Sequence, residues 1–94
     1  MASKEERVNL FKLIGLSDQK IEETLKNESL STLLVDIVKH AVKVQNNSTT
    51  INKTVGVLLY QIATKLKAQF KNRLNFLVEN VVNKNLESEI QLAG

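Results

Sequence analysis

The sequence predicts an all-α domain, a compact bundle of about five helices with a short sixth near the C-terminus. Three observations carry the prediction. Among 94 residues there is no Pro and there are only three Gly, so little interrupts a helix from within. Apolar residues recur at spacings of three and four along nearly the whole chain, the period of a helix face and not the alternation of a strand. Ser residues stand ahead of several of these runs, where a hydroxyl can accept the free amide hydrogens of a first turn. Hydrophobic residues make up 43% of the chain and charged ones 24%, which fits a folded domain, but three Phe and one Tyr leave the core to aliphatic side chains.

Each element follows from its own signals. Ser3 with Glu6 has the form of a capping box, and Val8, Phe11 and Ile14 then share a face, so a first helix runs to about Ile14. Gly15 follows where a left-handed cap would sit, and Ser17 caps a second helix from Asp18 to about Lys26, with the Asp18 charge near the positive end of the dipole. Ser29 is placed to cap a third helix, which carries Leu30, Leu33, Leu34, Ile37, Val38 and Ala41 and ends near Val44. Gln45 to Thr50 is polar and reads as the longest internal loop. The fourth helix, from about Ile51 to Gln69, has Ile51, Val55, Leu58, Leu59, Ile62 and Leu66 on one stripe, broadened by Val57, Tyr60 and Ala63, and is expected at the centre of the bundle. Gly56 inside it costs roughly 1 kcal/mol relative to Ala, which points to another backbone passing close by. A fifth helix sets Leu74, Leu77, Val78, Val81 and Val82 along one side, with Asn83 or Asn85 to end it, and Ser88 to Ala93 begins the sixth. The chain stops within that turn, as a fragment of a longer protein would.

The composition excludes much chemistry. With no Cys there is no disulfide, no thiolate metal site and no cysteine nucleophile. His40 is the only histidine and has Asp36 four residues before it, so an exposed contact along the helix explains it without a ligand role. Gly15 and Gly56 are too far apart for a phosphate-cradling loop. No catalytic residue, metal site or cofactor is expected. Lys4, Glu5 and Glu6 stand where a signal peptide would be apolar, and no run approaches the roughly 18 apolar residues of a membrane span, so a soluble, cytoplasmic protein is expected with no membrane partner. Asn-x-Ser/Thr triplets begin at Asn27, Asn46, Asn47 and Asn52 and are read as chance in an Asn-rich chain.

Charge is the more informative signal. Residues 1–47 hold seven basic and seven acidic residues, whereas residues 48–94 hold six basic and three acidic, so the whole excess of +3 lies in the second half. Between Asp36 and Glu79 there is no acid, while Lys39, Lys43, Lys53, Lys65, Lys67, Lys71 and Arg73 all fall there. An anionic partner fits this stretch. At 100° per residue Lys53, Lys67 and Lys71 lie within about 40° of one another on the fourth helix and form one basic ridge opposite the Leu58, Ile62, Leu66 stripe. Tyr60 falls on the same side and could stack on a base or pack against a second domain, and packing is favoured. No set of Arg, Asn and Gln is positioned for base edges in a major groove, so DNA is not expected and backbone contacts are.

Two stretches carry a resemblance. Leu10-Phe11, Gly15-Leu16-Ser17-Asp18-Gln19-Lys20, Glu23-Thr24-Leu25-Lys26-Asn27 and Leu30-Ser31 are similar to the start of animal glutaminyl-tRNA synthetases. Thr50-Ile51-Asn52-Lys53, Gly56-Val57-Leu58-Leu59-Tyr60, Ala63, Leu66 and Leu74-Asn75-Phe76-Leu77-Val78 resemble the stretch that follows in the same region. The resemblance implies that residues 1–94 are a single helical domain, the first of two N-terminal helical subdomains appended to a class I glutamine-tRNA ligase. The catalytic domain is absent, and the histidine and lysine-serine signatures of such a body do not occur here. The implied role is tRNA affinity that helps position tRNA for glutaminylation, and the basic stretch places that affinity, independent of sequence, on Lys53, Lys65, Lys67, Lys71 and Arg73. The competing implication is protein docking within a multi-synthetase complex, through an apolar patch including Tyr60 or the valines of the fifth helix.

Overall fold

The computed structural model describes residues 2–46, 50–66 and 71–84. Within them the chain forms five helices, α1 (Lys4–Leu13), α2 (Asp18–Lys26), α3 (Glu28–Val44), α4 (Lys53–Leu66) and α5 (Lys71–Lys84). The expected sixth helix at Ser88 to Ala93, and Asn85 as a terminator, lie outside the described residues. Asn83 does not end the fifth helix, because α5 continues through it to Lys84.

The turns between the first helices are fixed by local chemistry. Ser3 Oγ accepts the Glu6 amide at 3.1 Å and starts α1. The Glu6 carboxylate, which a capping box would turn to the Ser3 amide, lies 3.2 Å from Lys39 Nζ on α3. At the other end Gly15 takes φ +86°. Its amide donates to Lys12 and that of Leu16 to Phe11, at 3.0 and 3.1 Å, the pair of bonds that closes a helix on a left-handed residue. Ser17 Oγ then accepts the Lys20 amide at 3.2 Å and starts α2.

Helix α3 is capped by Asn27 and not by Ser29. Asn27 ends α2 and begins α3 in one residue, with Oδ1 accepting the Leu30 amide at 3.1 Å. Ser29 is the second residue of α3. Helix α4 starts two residues later than the apolar stripe suggests. Asn52 stops the helix at its own position: its Oδ1 accepts the Thr54 amide at 2.7 Å and its carbonyl accepts the Gly56 amide at 2.9 Å. Ile51 is buried all the same, as the residue that pins the entering chain to the core.

The central helix is α3. It packs against each of the other four, while α1 packs on α2 and α4 packs on α5. The bundle is therefore two helix pairs that both pack on one long helix. This placement explains the breadth of the α3 buried face: Val35 joins Leu34, Ile37, Val38 and Ala41, an arc of about 160° at 100° per residue. The remaining core comes from Phe11, Ile14 and Ile21 on one side and Val55, Leu58, Leu59, Ile62, Ala63, Leu74, Leu77, Val78 and Val81 on the other. No helix among the described residues is long and apolar enough to cross a membrane.

Candidate nucleic-acid interface

The second helix pair presents the cations. Neither α4 nor the first turn of α5 contains an acid. Lys53 and Lys65 on α4 and Arg73 on α5 are exposed, as is Lys43 in the last turn of α3. Lys71 is the first residue of α5 and Lys67 lies outside the described residues. Lys53 and Lys71 thus stand on different helices, so the ridge expected from one continuous helix is not a feature of a single element. Lys53 and Lys65 on α4 and Lys71 and Arg73 on α5 belong to two helices that pack on each other.

In the first half, several cations already have carboxylate partners. Lys39 meets Glu6 at 3.2 Å, Lys20 meets Glu23 at 3.6 Å, and Arg7 meets Glu28 at 3.2 Å. Among the described residues, no ion pair engages Lys43, Lys53, Lys65 or Arg73. A groove of about 500 Å³ between α1 and α3 has Leu10, Leu13 and Val42 on its floor and Glu5 and Glu6 on its edge. With Glu5 and Glu6 beside it, this groove is poorly suited to a phosphate.

Tyr60 is half-buried against the core, and Lys20 Nζ lies 5.8 Å from the centre of its ring. One face of the ring is therefore taken by a cation from α2, within the range of a cation–π contact. Gly56 is buried, and a β-carbon there would sit 3.0 Å from the carbonyl carbon of Ile14. The backbone that passes close to α4 is thus the end of α1. His40 is held by Glu79 of α5, Nε2 to Oε2 at 3.0 Å, and not by Asp36. The helix-five valines do not form an exposed patch, because Val78 and Val81 are fully buried; among the described residues the exposed large apolar side chains are Val57 and Phe76. Among the described residues no group of His, Asp and Glu could hold a metal ion.

Two residues escaped the reading of the sequence. Arg7 is only 6% exposed. Its guanidinium donates to Ser31 Oγ at 2.8 Å, to Glu28 Oε1 at 3.2 Å and, through Nε, to the Ala2 carbonyl at 3.2 Å. The signal was present, since Arg7 stands four residues before Phe11 and Ser31 stands three before Leu34, each in the apolar register of its helix. Phe76 is the second. It falls off the stripe of Leu74, Leu77, Val78 and Val81, and a large apolar residue off the stripe of an amphipathic helix has to face solvent or a partner.

Residues 5–94 match the family model for the non-specific RNA-binding region of glutaminyl-tRNA synthetase, in the first of the segments into which that region is divided. A probable glutamine–tRNA ligase of Caenorhabditis elegans is 43% identical over the whole of this chain and 11% of its own length. The glutamine–tRNA ligase of Rattus norvegicus is 43% identical over 90% of this chain and 10% of its own length, and a probable one of Dictyostelium discoideum is 38% identical over 96% and 11%. The chain spans about a tenth of the length of these curated relatives. No solved structure matches it. With residues 5–94 covered by the family model and relatives of 43% identity over nine-tenths or more of its length, the chain belongs to the family of the first non-specific RNA-binding segment of glutaminyl-tRNA synthetases.

Proposed function

We propose that this domain gives a glutamine–tRNA ligase sequence-independent affinity for tRNA and helps position it for glutaminylation by a catalytic body elsewhere in the parent protein. The observation that carries the reading is the surface of α4 and α5, where exposed Lys53, Lys65 and Arg73 have no carboxylate between Asp36 and Glu79 to neutralise them. Lys67 and Lys71 belong to the same stretch of sequence and are assigned to the same role. Point charges on long flexible stems suit phosphates spaced along a backbone and carry no base preference, as the family description requires.

The test is tRNA binding across a salt series. If three to five phosphates are engaged, the logarithm of affinity falls with the logarithm of salt by roughly 0.7 to 0.9 per contact. Lys53→Glu with Lys65→Glu is expected to weaken binding and flatten that slope, whereas Lys26→Glu, on α2 among Glu22, Glu23 and Glu28, leaves it unchanged. A slope near zero in the unmodified chain would refute the electrostatic mechanism. The second reading, docking onto other synthetases of a multi-synthetase complex, draws on the exposure of Val57 and Phe76. It predicts partner binding that hardly responds to salt and survives both lysine reversals.

A further inference from the structure

Helix α5 turns a face to solvent whose composition differs from that of the lysine-bearing α4. At 100° per residue, Arg73, Phe76, Asn80 and Asn83 fall within about 80° of one another, on the side away from buried Leu74, Leu77, Val78 and Val81. Phe76 is 59% exposed, Arg73 and Asn83 are exposed, and Asn80 is half-buried. Within α5 the acid is Glu79, and it is held by His40 of α3 at 3.0 Å. On α5 the Phe76 ring is thus set among a guanidinium and two amides, with the carboxylate of the same helix engaged.

Along α5 this is a poor protein-docking core, because the ring's neighbours one turn away on the exposed side, Arg73 and Asn80, are polar. It suits a nucleobase. The ring offers a flat apolar face of the right size, Arg73 one turn away can reach the adjacent phosphate, and the Asn side chains can donate to or accept from any base edge. Stacking of this kind requires a base that is out of a duplex, since in a double helix both faces are covered by neighbouring pairs. We propose that Phe76 stacks on an unpaired base, with Arg73 on the neighbouring phosphate, so that the domain prefers single-stranded or looped RNA segments over duplex without reading their sequence. The proposal rests on the RNA-binding reading above and adds to it the class of RNA segment engaged.

The 94-residue chain is titrated with a single-stranded oligoribonucleotide and with a perfect RNA duplex at one fixed salt concentration. Phe76→Ala, Phe76→Leu and the Lys53→Glu, Lys65→Glu pair are run beside it, and circular dichroism establishes that each variant is folded. Phe76→Ala is expected to weaken single-strand binding about 5- to 150-fold, the range of one lost base stack, while duplex binding and the salt slope stay as they were. Phe76→Leu should retain the defect. Because the chain has no Trp, Phe76→Trp introduces one indole, whose fluorescence a stacked base should quench with the single strand and not with the duplex. Equal losses on both RNAs, full rescue by Leu, or no loss with Ala would each overturn the stacking proposal. In those cases a continued effect of the lysine reversals leaves the electrostatic reading standing. Absence of any RNA binding at low salt would remove both and leave Phe76 to a protein partner.

Discussion

At the residue scale, two buried positions determine how α1 meets the rest of the molecule. Arg7 brings a charge into the layer between α1 and α3, where Ser31 has no exposure at all. Its bond to Ser31 matters more than its ion pair, because the Glu28 side chain is 67% exposed and the pair is screened by water. Arg7→Met is therefore expected to lower stability by about 1–3 kcal/mol, the cost of leaving a buried hydroxyl unpartnered. Glu28→Ala should cost well under about 1 kcal/mol, and adding Ser31→Ala to Arg7→Met should restore some of the loss, all read from denaturant melts. An Arg7→Met protein as stable as the parent would show that the guanidinium contributes nothing net. Gly56 poses the opposite case. Helix propensity alone favours Ala there by about 1 kcal/mol, but the β-carbon would press on the Ile14 carbonyl. Gly56→Ala is expected to be destabilising by about 1–2 kcal/mol after that gain is offset. A rise in thermal midpoint would refute the close approach.

At the element scale, helix existence and type were legible because the apolar period is unbroken, and starts were legible where the capping residue was a serine. Ser3 and Ser17 both cap. The misjudged starts have asparagines, at Asn27 for α3 and Asn52 for α4. Both open an Asn-x-Ser/Thr triplet, so an excess of asparagine that looked incidental is in part structural. At the α2–α3 junction, Asn27 and Ser29 were both chemically able to cap, and the choice depends on how tightly α2 closes. Asn27→Ala should cost about 1 kcal/mol, with Asn27→Asp retaining most of the stability because a carboxylate also suits the dipole there. Ser29→Ala should be nearly silent in the same thermal melts. An equal loss at both sites would mean that the cap is shared.

At the scale of the whole molecule, the charge asymmetry was readable by counting, but its arrangement was not, because an angular projection assumes one helix and α4 ends at Leu66 before α5 begins at Lys71. The central position of α3 was also hidden. Its stripe is no longer than that of α4, and only packing on both sides reveals that Val35 is needed as well. The contact of Gly56 with Ile14 then acquires a meaning beyond stability. Sliding α4 by one turn would bring Asn52 or Tyr60 beneath that carbonyl, and rotating it by one residue would bring Val55 or Val57, each with a β-carbon for which there is no room. The glycine is an indexing notch: α4 seats against the Ile14 carbonyl, just past α1, in one azimuth, and Lys53 and Lys65 point where that azimuth sends them. The direction of the positive field is thereby set by a residue that has neither charge nor side chain.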